Sequence, residues 1–420
     1  MTLLIPATAM QPYELAEVER FTLPDPTSGT SHRFGLSPVA QGDSGGSLGI
    51  DEMEGELVRL LGSMEGGAGA STPSDRLGRW DFNACAFASA AKRAGRSPMV
   101  LVGQFLVQRV YGFVDALELD RDKLGAFLSA LEANYGERNP YHNDTHAVDV
   151  MLSVHYFLQG GVGQLLSKIE VLALLVAALG HDTGHGGVNN AFLTSSGHGL
   201  VDLCAGFASV LEHHHTRTLF TILSRPECNF VSGLSEGDLS TFRDTVSALI
   251  LATDMSRHGH FVGAFKDLLG KHNIALDGMQ GQALLPFADK LTQEDRLLVA
   301  SITIKASDLS NVVKPEQLAW EWGERIMVEF FHQGDLESKL GLKQMQPTSQ
   351  DNPVKVRLIT SKHQLGFLEN CVHGLFDIVT GALLEPASRN TIMRCSVDNQ
   401  QIWRDRAEHA QKELDAMPKN

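Results

Sequence analysis

Val171-Leu172-Ala173-Leu174-Leu175-Val176-Ala177-Ala178-Leu179-Gly180-His181-Asp182-Thr183-Gly184-His185 is the stretch from which the fold can be read. Nine apolar residues run from Val171 to Leu179, and a carboxylic acid with two histidines follows at once. Apolarity on most sides predicts a helix over Leu165 to Leu179 that lies at the centre of a core. The run is far short of the ~20 residues that cross a membrane. An ionised aspartate at the end of a buried helix is costly unless it is paired or bound to a cation. Adjacent His-Asp can hold divalent metals, with the carboxylate able to bridge two of them.

Upstream, Asn139-Pro140 offers an N-cap with proline at the first helical position, and Gly160-Gly161 offers a stop. Between them Ala147, Met151, Val154 and Leu158 form one apolar stripe, while His142, His146 and Asp149 share another face. The i, i+4 spacing of His142 and His146 suits a metal site or an acid beside a ligand, and equally two solvated histidines. Asn143 stands where the H-E-x-x-H pattern would need its glutamate. Downstream, apolar periodicity predicts helices over Leu239 to Thr253, Gln293 to Leu309, Pro315 to His332 and Gln364 to Thr380, with a polar helix from Asn399. Gly341 to Lys362 reads as a long polar loop.

Alternation with period two is almost absent, so the expected class is all-α. The first 75 residues hold two Gly/Ser-rich stretches, Thr27 to Gly49 and Gly62 to Ser74, around a candidate short helix, Ile50 to Leu61. Residues 1–75 therefore read as a linker-like N-terminal segment and residues 76–412 as one compact multi-helix domain.

Lys+Arg number 35 against 50 Asp+Glu, a formal charge of −15 that argues against nucleic-acid binding or a basic membrane surface. Five cysteines with no C-x-x-C suggest neither a disulfide framework nor a cysteine zinc site. No basic n-region, myristoylation glycine or prenylation cysteine is present, so the expected location is cytoplasmic. Nine of the 17 histidines, however, fall between His142 and His215. Glu212 heads Glu212-His213-His214-His215, Thr253-Asp254 follows one apolar segment and Asp308 another. Each carboxylate alone could simply accept backbone N–H groups at a helix end.

Taken together and in order, Tyr141-His142-Asn143-x-x-His146-Ala147, His181-Asp182-x-x-His185-x-Gly187-x-x-Asn190, Glu212-x-His214-His215, Thr253-Asp254-Met255-Ser256-x-His258, Asp308-Leu309-Ser310-Asn311 and Gln364-x-Gly366-Phe367 resemble the class I cyclic nucleotide phosphodiesterase catalytic domain. The resemblance runs from about Trp80 to Arg406. Trp80-Asp81-Phe82 and Arg325-Ile326-Met327-x-Glu329-Phe330-Phe331 add framework support.

The resemblance implies a two-metal site, with His146, His181, Asp182 and Asp308 on a first ion, zinc. Asp182 would bridge to a second ion, Mg²⁺ or Mn²⁺, whose waters His185, Glu212 and Thr253 would hold. It further implies hydrolysis of the 3′ phosphoester of a 3′,5′-cyclic nucleotide to the 5′-monophosphate by a metal-activated bridging hydroxide, with His142 as general acid. Asn190 and Asp254 would support the site. Gln364 would bind the purine edge and Phe367 with Ile326 would clamp its face, backed by Phe330, while Tyr141 and Asn311 complete the substrate-binding set. Asn311 leans toward cAMP, and a glutamine amide can also present the orientation that suits cGMP. The sequence departs from the pattern at Gly341 to Lys362, which lacks a Cys/Phe-Asp-Arg element, and at Ala319, where several members carry an aromatic. A homodimer or an attached N-terminal regulatory module would be in keeping with the family; nucleic acid and direct membrane insertion are not expected, on the charge and the short apolar runs noted above. Two other readings of the residues stand beside this one: another His-Asp (HD-type) metal phosphohydrolase acting on nucleotides, and a catalytically inactive cyclic-nucleotide sensor.

Overall fold

The computed structural model describes residues 49–64, 72–136, 138–204, 208–349 and 352–417, and among these the regular structure is helical with no strand. The helices that build or buttress the core around the site are α1 (Ile50–Met64), α2 (Asp144–Gln159), α3 (Lys168–Gly180), α4 (Val210–Leu223), α5 (Glu236–Thr253), α6 (Gln293–Asp308), α7 (Glu316–Lys339), α8 (Pro353–Phe367) and α9 (Pro386–Asp415). Helix α3 is the expected central element. Ser167 and Glu170 form a capping box at its start, and every residue from Ile169 to Gly180 is buried. It packs against α2, α5 and α6, and each fully buried Leu or Val contributes roughly 1.5–3 kcal/mol.

Three boundaries differ from expectation for identifiable reasons. Helix α2 starts at Asp144, because the side chain of Asn143, and not that of Asn139, accepts from the N–H groups of Thr145 and His146. Asn143 Nδ2 also donates to the carbonyls of Asn139 (2.8 Å) and Pro140 (3.2 Å), which folds 139–142 into a turn. His142 therefore precedes the helix, and the shared helical face expected for His142 and His146 does not exist. Helix α8 occupies much of the expected loop: Asn352-Pro353 gives the N-cap and N1 proline, and Val354, Leu358 and Ser361 supply a buried face. The loop thus ends before Pro353, and the expected Gln364 to Thr380 helix is the last turn of α8, a π-turn over Leu368–Val372 and a further helix, His373–Leu383. The C-terminal helix begins at Pro386, well before Asn399.

The short helix expected inside the N-terminal segment is present as α1, but it is docked. Met53, Leu57, Leu60 and Leu61 are at most 3% exposed and belong to the main core. Arg76 Nη2 donates to the Leu61 carbonyl (2.7 Å), fixing α1 to the turn of helix at Pro73–Leu77. A stripe at i, i+4, i+7 and i+8 has a face to bury, so α1 packs on the helical core although it falls within the expected 1–75 segment. The preceding part of the expected linker lies outside the described residues.

Distant elements converge on the turn after Asp308. Trp80 Nε1 donates to Val313 O (3.0 Å), and Asn399 Nδ2 donates to Val312 O (3.0 Å) and Lys314 O (2.8 Å). Lys314 forms a short ion pair with Asp149 of α2, with both side chains at most 4% exposed. Removing one member of a buried pair leaves the other charge uncompensated, at a cost of about 3–5 kcal/mol. Lys314→Met is expected to lower stability by that amount in urea unfolding. Lys314→Met/Asp149→Leu should recover most of the loss, and equal losses in the single and double variants would contradict the pairing.

Candidate active site

His146 lies in the first turn of α2, His181 and Asp182 follow α3, and Asp308 ends α6. One ligand atom from each of the four lies within 4.8 Å of the others. His146 Nε2 is 3.1 Å from Asp308 Oδ1 and 3.5 Å from Asp182 Oδ2; His181 Nε2 is 2.9 Å from Asp182 Oδ2 and 3.3 Å from Asp308 Oδ1. His181 Nδ1 donates to Ala178 O (2.9 Å), which turns Nε2 toward the carboxylates. That nitrogen is buried yet makes no hydrogen bond of acceptable geometry. Burial opposes ionisation of all three groups, but proximity outweighs it. The two carboxylates raise the His181 pKa well above its usual range, His181 holds Asp182 well below the usual carboxylate range, and the bond from His146 together with the nearby His181 charge does the same for Asp308. An orphaned imidazole nitrogen facing two largely buried carboxylates fits a borderline divalent cation.

Beside Asp182, His185 accepts from Gly187 N–H at Nδ1 (3.0 Å), which leaves its proton on Nε2. Glu212 accepts from Asn190 Nδ2 (3.0 Å), and burial pushes its pKa up to about 7. Thr253 donates to Ile250 O (2.7 Å) within its own helix. His215, to which no role was assigned from sequence, donates from Nδ1 to Thr183 O (2.8 Å) and brings Nε2 to 3.7 Å from Asp182 Oδ1. Its i, i+3 relation to Glu212 on α4 was the available signal.

His142 sits at the edge of this cluster, its ring stacked on His185 with centroids 4.0 Å apart. Its Nδ1 makes a short bond to Glu329, whose other oxygen accepts from the backbone N–H groups of Tyr141 (3.2 Å) and His142 (3.1 Å). Asn139 Nδ2 joins the two histidine segments by donating to the carbonyls of His142 (3.0 Å) and His185 (2.8 Å). Burial would depress His142, but Glu329 and then Asp182 outweigh it and its pKa rises to about 9; Glu329 falls correspondingly to about 2. The sequence marks Glu329 only as framework, because nothing local links it to a histidine 187 positions away.

A cavity of about 510 Å³ opens over these groups. Tyr141, Asn311, Ile326, Phe330, Gln364 and Phe367 all line it, with His146 and His181 set behind its wall. Gln364 is 4% exposed, and its Oε1 has no hydrogen-bond partner. Asn311 Nδ2 donates to the Tyr141 hydroxyl, so its Oδ1 remains the amide's accepting atom.

A helical domain with a His-Asp cation cradle at one wall of a cavity and an amide with apolar side chains at the other has the architecture of a metal-dependent phosphohydrolase. Residues 141–395 match the family model described as 3′5′-cyclic nucleotide phosphodiesterase, and the chain belongs to that family. It is 31% identical over 303 residues to the high affinity cAMP-specific and IBMX-insensitive 3′,5′-cyclic phosphodiesterase 8A of Mus musculus, covering 71% of this chain and 36% of that protein. The 3′,5′-cyclic-nucleotide phosphodiesterase regA of Dictyostelium discoideum is 37% identical over 221 residues, 52% of this chain and 26% of that one. The chain thus spans about a quarter to a third of the length of these curated relatives. Among solved structures, the phosphodiesterase domain of the RhoPDE fusion protein from the choanoflagellate Salpingoeca rosetta superposes with a TM-score of 0.65 at 26% identity, covering 80% of this chain and 97% of that domain. No helix among the described residues is long and apolar enough to cross a membrane.

Asp182→Ala is expected to lose bound metal, and His142→Ala to keep nearly all of it, when purified variants are compared by elemental analysis. Equal depletion in both would contradict the placement of His142 outside the cation cluster.

Proposed function

We propose that the chain hydrolyses the 3′ phosphoester bond of 3′,5′-cyclic nucleotides, cAMP in preference to cGMP, releasing the 5′-monophosphate. One observation carries this reading: the His-Asp cluster, the His142–Glu329 pair and Gln364 with Phe367 all meet at one cavity. Held by His146, His181, Asp182 and Asp308, with Asp182 shared, zinc and Mg²⁺ or Mn²⁺ would supply a nucleophile from water at neutral pH and offset charge on the phosphoryl oxygens. His185, Glu212 and Thr253 border the Asp182 side and are suited to orient water there.

His142 is the general acid in this reading. The Glu329 bond fixes its Nδ1 and leaves the Nε2 proton free for the departing O3′ as the P–O3′ bond breaks. With a pKa of about 9 it is protonated at neutral pH. Gln364 and Phe367, three residues apart on α8, offer an amide to the purine edge and a ring to its face. The Asn311 carbonyl oxygen suits a 6-amino group, which favours adenine. Rotation of the unpartnered Gln364 amide suits the 6-oxo group of guanine.

Side-by-side assays of cAMP, cGMP and nucleoside triphosphates test the substrate class, and turnover of triphosphates alone would overturn it. Glu329→Gln tests the acid. His142 must be protonated, so activity falls as pH rises through its pKa. Without the Glu329 charge that pKa drops, and the alkaline limb of the kcat profile should move to lower pH. An unmoved limb would remove His142 from the acid role. His142→Ala should cost about 10²–10⁴-fold in kcat.

A further inference from the structure

Lys305 is fully buried in α6, three residues before Asp308, and takes no part in the chemistry above. Its Nζ donates to the carbonyls of Ala252 (3.1 Å), Thr253 (3.4 Å) and Asp254 (3.2 Å). An ammonium has three donors and no acceptor, so its capacity is filled by three backbone oxygens at the C-terminal end of α5. Those oxygens have no partner within their own helix, and a cation is favoured at that end.

The same turn is held from its other side. The Asp254 carboxylate accepts from Ser256 N–H (2.7 Å), Ser256 Oγ (2.8 Å) and Ser209 Oγ. Ser209 immediately precedes α4 at φ +63°, a left-handed conformation that costs a non-glycine residue about 1–2 kcal/mol. Its bond to Asp254 holds the start of α4, three residues before Glu212. Three helices therefore meet at one pin: α6 carrying Asp308, α5 carrying Thr253 and α4 carrying Glu212.

We propose that Lys305 is a positioning residue for the second cation, setting Thr253 and, through Asp254 and Ser209, Glu212 at the distance from Asp308 that water-mediated binding of a hard cation needs. A buried lysine is a costly way to fill space, since an apolar side chain would pack there without desolvating a charge. What it adds is a rigid three-point connection between the helix that ends in a proposed ligand and the wall opposite. This inference rests on the two-cation reading given above.

The test is calorimetric titration of Mn²⁺ into the zinc-loaded full chain, wild type against Lys305→Met. The variant should keep its zinc stoichiometry and bind Mn²⁺ about 10–100-fold more weakly, the usual effect of removing a group that orients ligands. Where Lys305→Met does not fold, Lys305→Gln, which is neutral but keeps two donors, should weaken Mn²⁺ binding in the same direction. A purely structural lysine would lower the melting temperature and leave Mn²⁺ affinity unchanged, and that result in a folded variant would overturn the proposal. Tighter Mn²⁺ binding would also overturn it, by showing that Lys305 acts as a repelling charge. If the wild type itself takes up only one divalent ion, the two-cation reading fails instead.

Discussion

Asp182 and Asp308, two carboxylates held beside the same pair of imidazole nitrogens in a largely buried place, set the demand that the surrounding structure meets. Like charges brought together out of water repel strongly unless positive charge faces them. Neither aspartate can retreat, because each is fixed by the end of a helix whose interior is packed. Asp182 follows α3, apolar from Val171 to Leu179, and Asp308 closes α6, and the backbone after Asp308 is clamped by Trp80, Asn399 and the Lys314–Asp149 pair. The rigidity of the core is thus what keeps a cation-shaped site open to an ion.

The sign of the site differs from the sign of the molecule for the same reason. A formal charge of −15 over the whole chain would repel a phosphodiester at long range. Exposed charges are screened beyond about 8 Å at physiological ionic strength, whereas charges inside a partly closed cavity are screened much less. In the proposed two-cation reading, divalent ions against Asp182 and Asp308 would leave the cavity floor positive, and a protonated His142 would add to it. The acidic composition and an anionic substrate are therefore compatible, because the local charge governs binding.

The all-helical class and the cation cluster were legible because their signals are local: an apolar run, a His-Asp pair at its end, motifs in fixed order. The turn bearing His142 was misread because Asn139 and Asn143 are both competent caps, and only tertiary packing chooses between them. Helix α8 was hidden by polar residues, although Asn352-Pro353 carries the same start signal as Asn139-Pro140. Helix α1 has an apolar stripe whose partner surface is built by residues far along the chain, so sequence alone left it looking like part of a linker. Glu329 and Lys305 were invisible as positioning groups, since each acts across a distance in sequence that no spacing rule spans.

The stacked pair His142 and His185 shows how geometry assigns chemical roles. Two imidazoles with centroids 4.0 Å apart cannot both carry a proton at low cost, so the surroundings must choose which one does. Glu329 is bonded to His142 and lifts it to about 9; burial, followed by the neighbouring charge of His142, lowers His185 to about 4. A separation of that size leaves one ring protonated and the other neutral at neutral pH, the states that the proposed roles of proton donor and water-orienting dipole would require. The choice does not lie in the histidines, which are chemically identical. It lies in which of them a carboxylate from α7 can reach, and the turn created by Asn143 capping α2 is what lets His142 reach it.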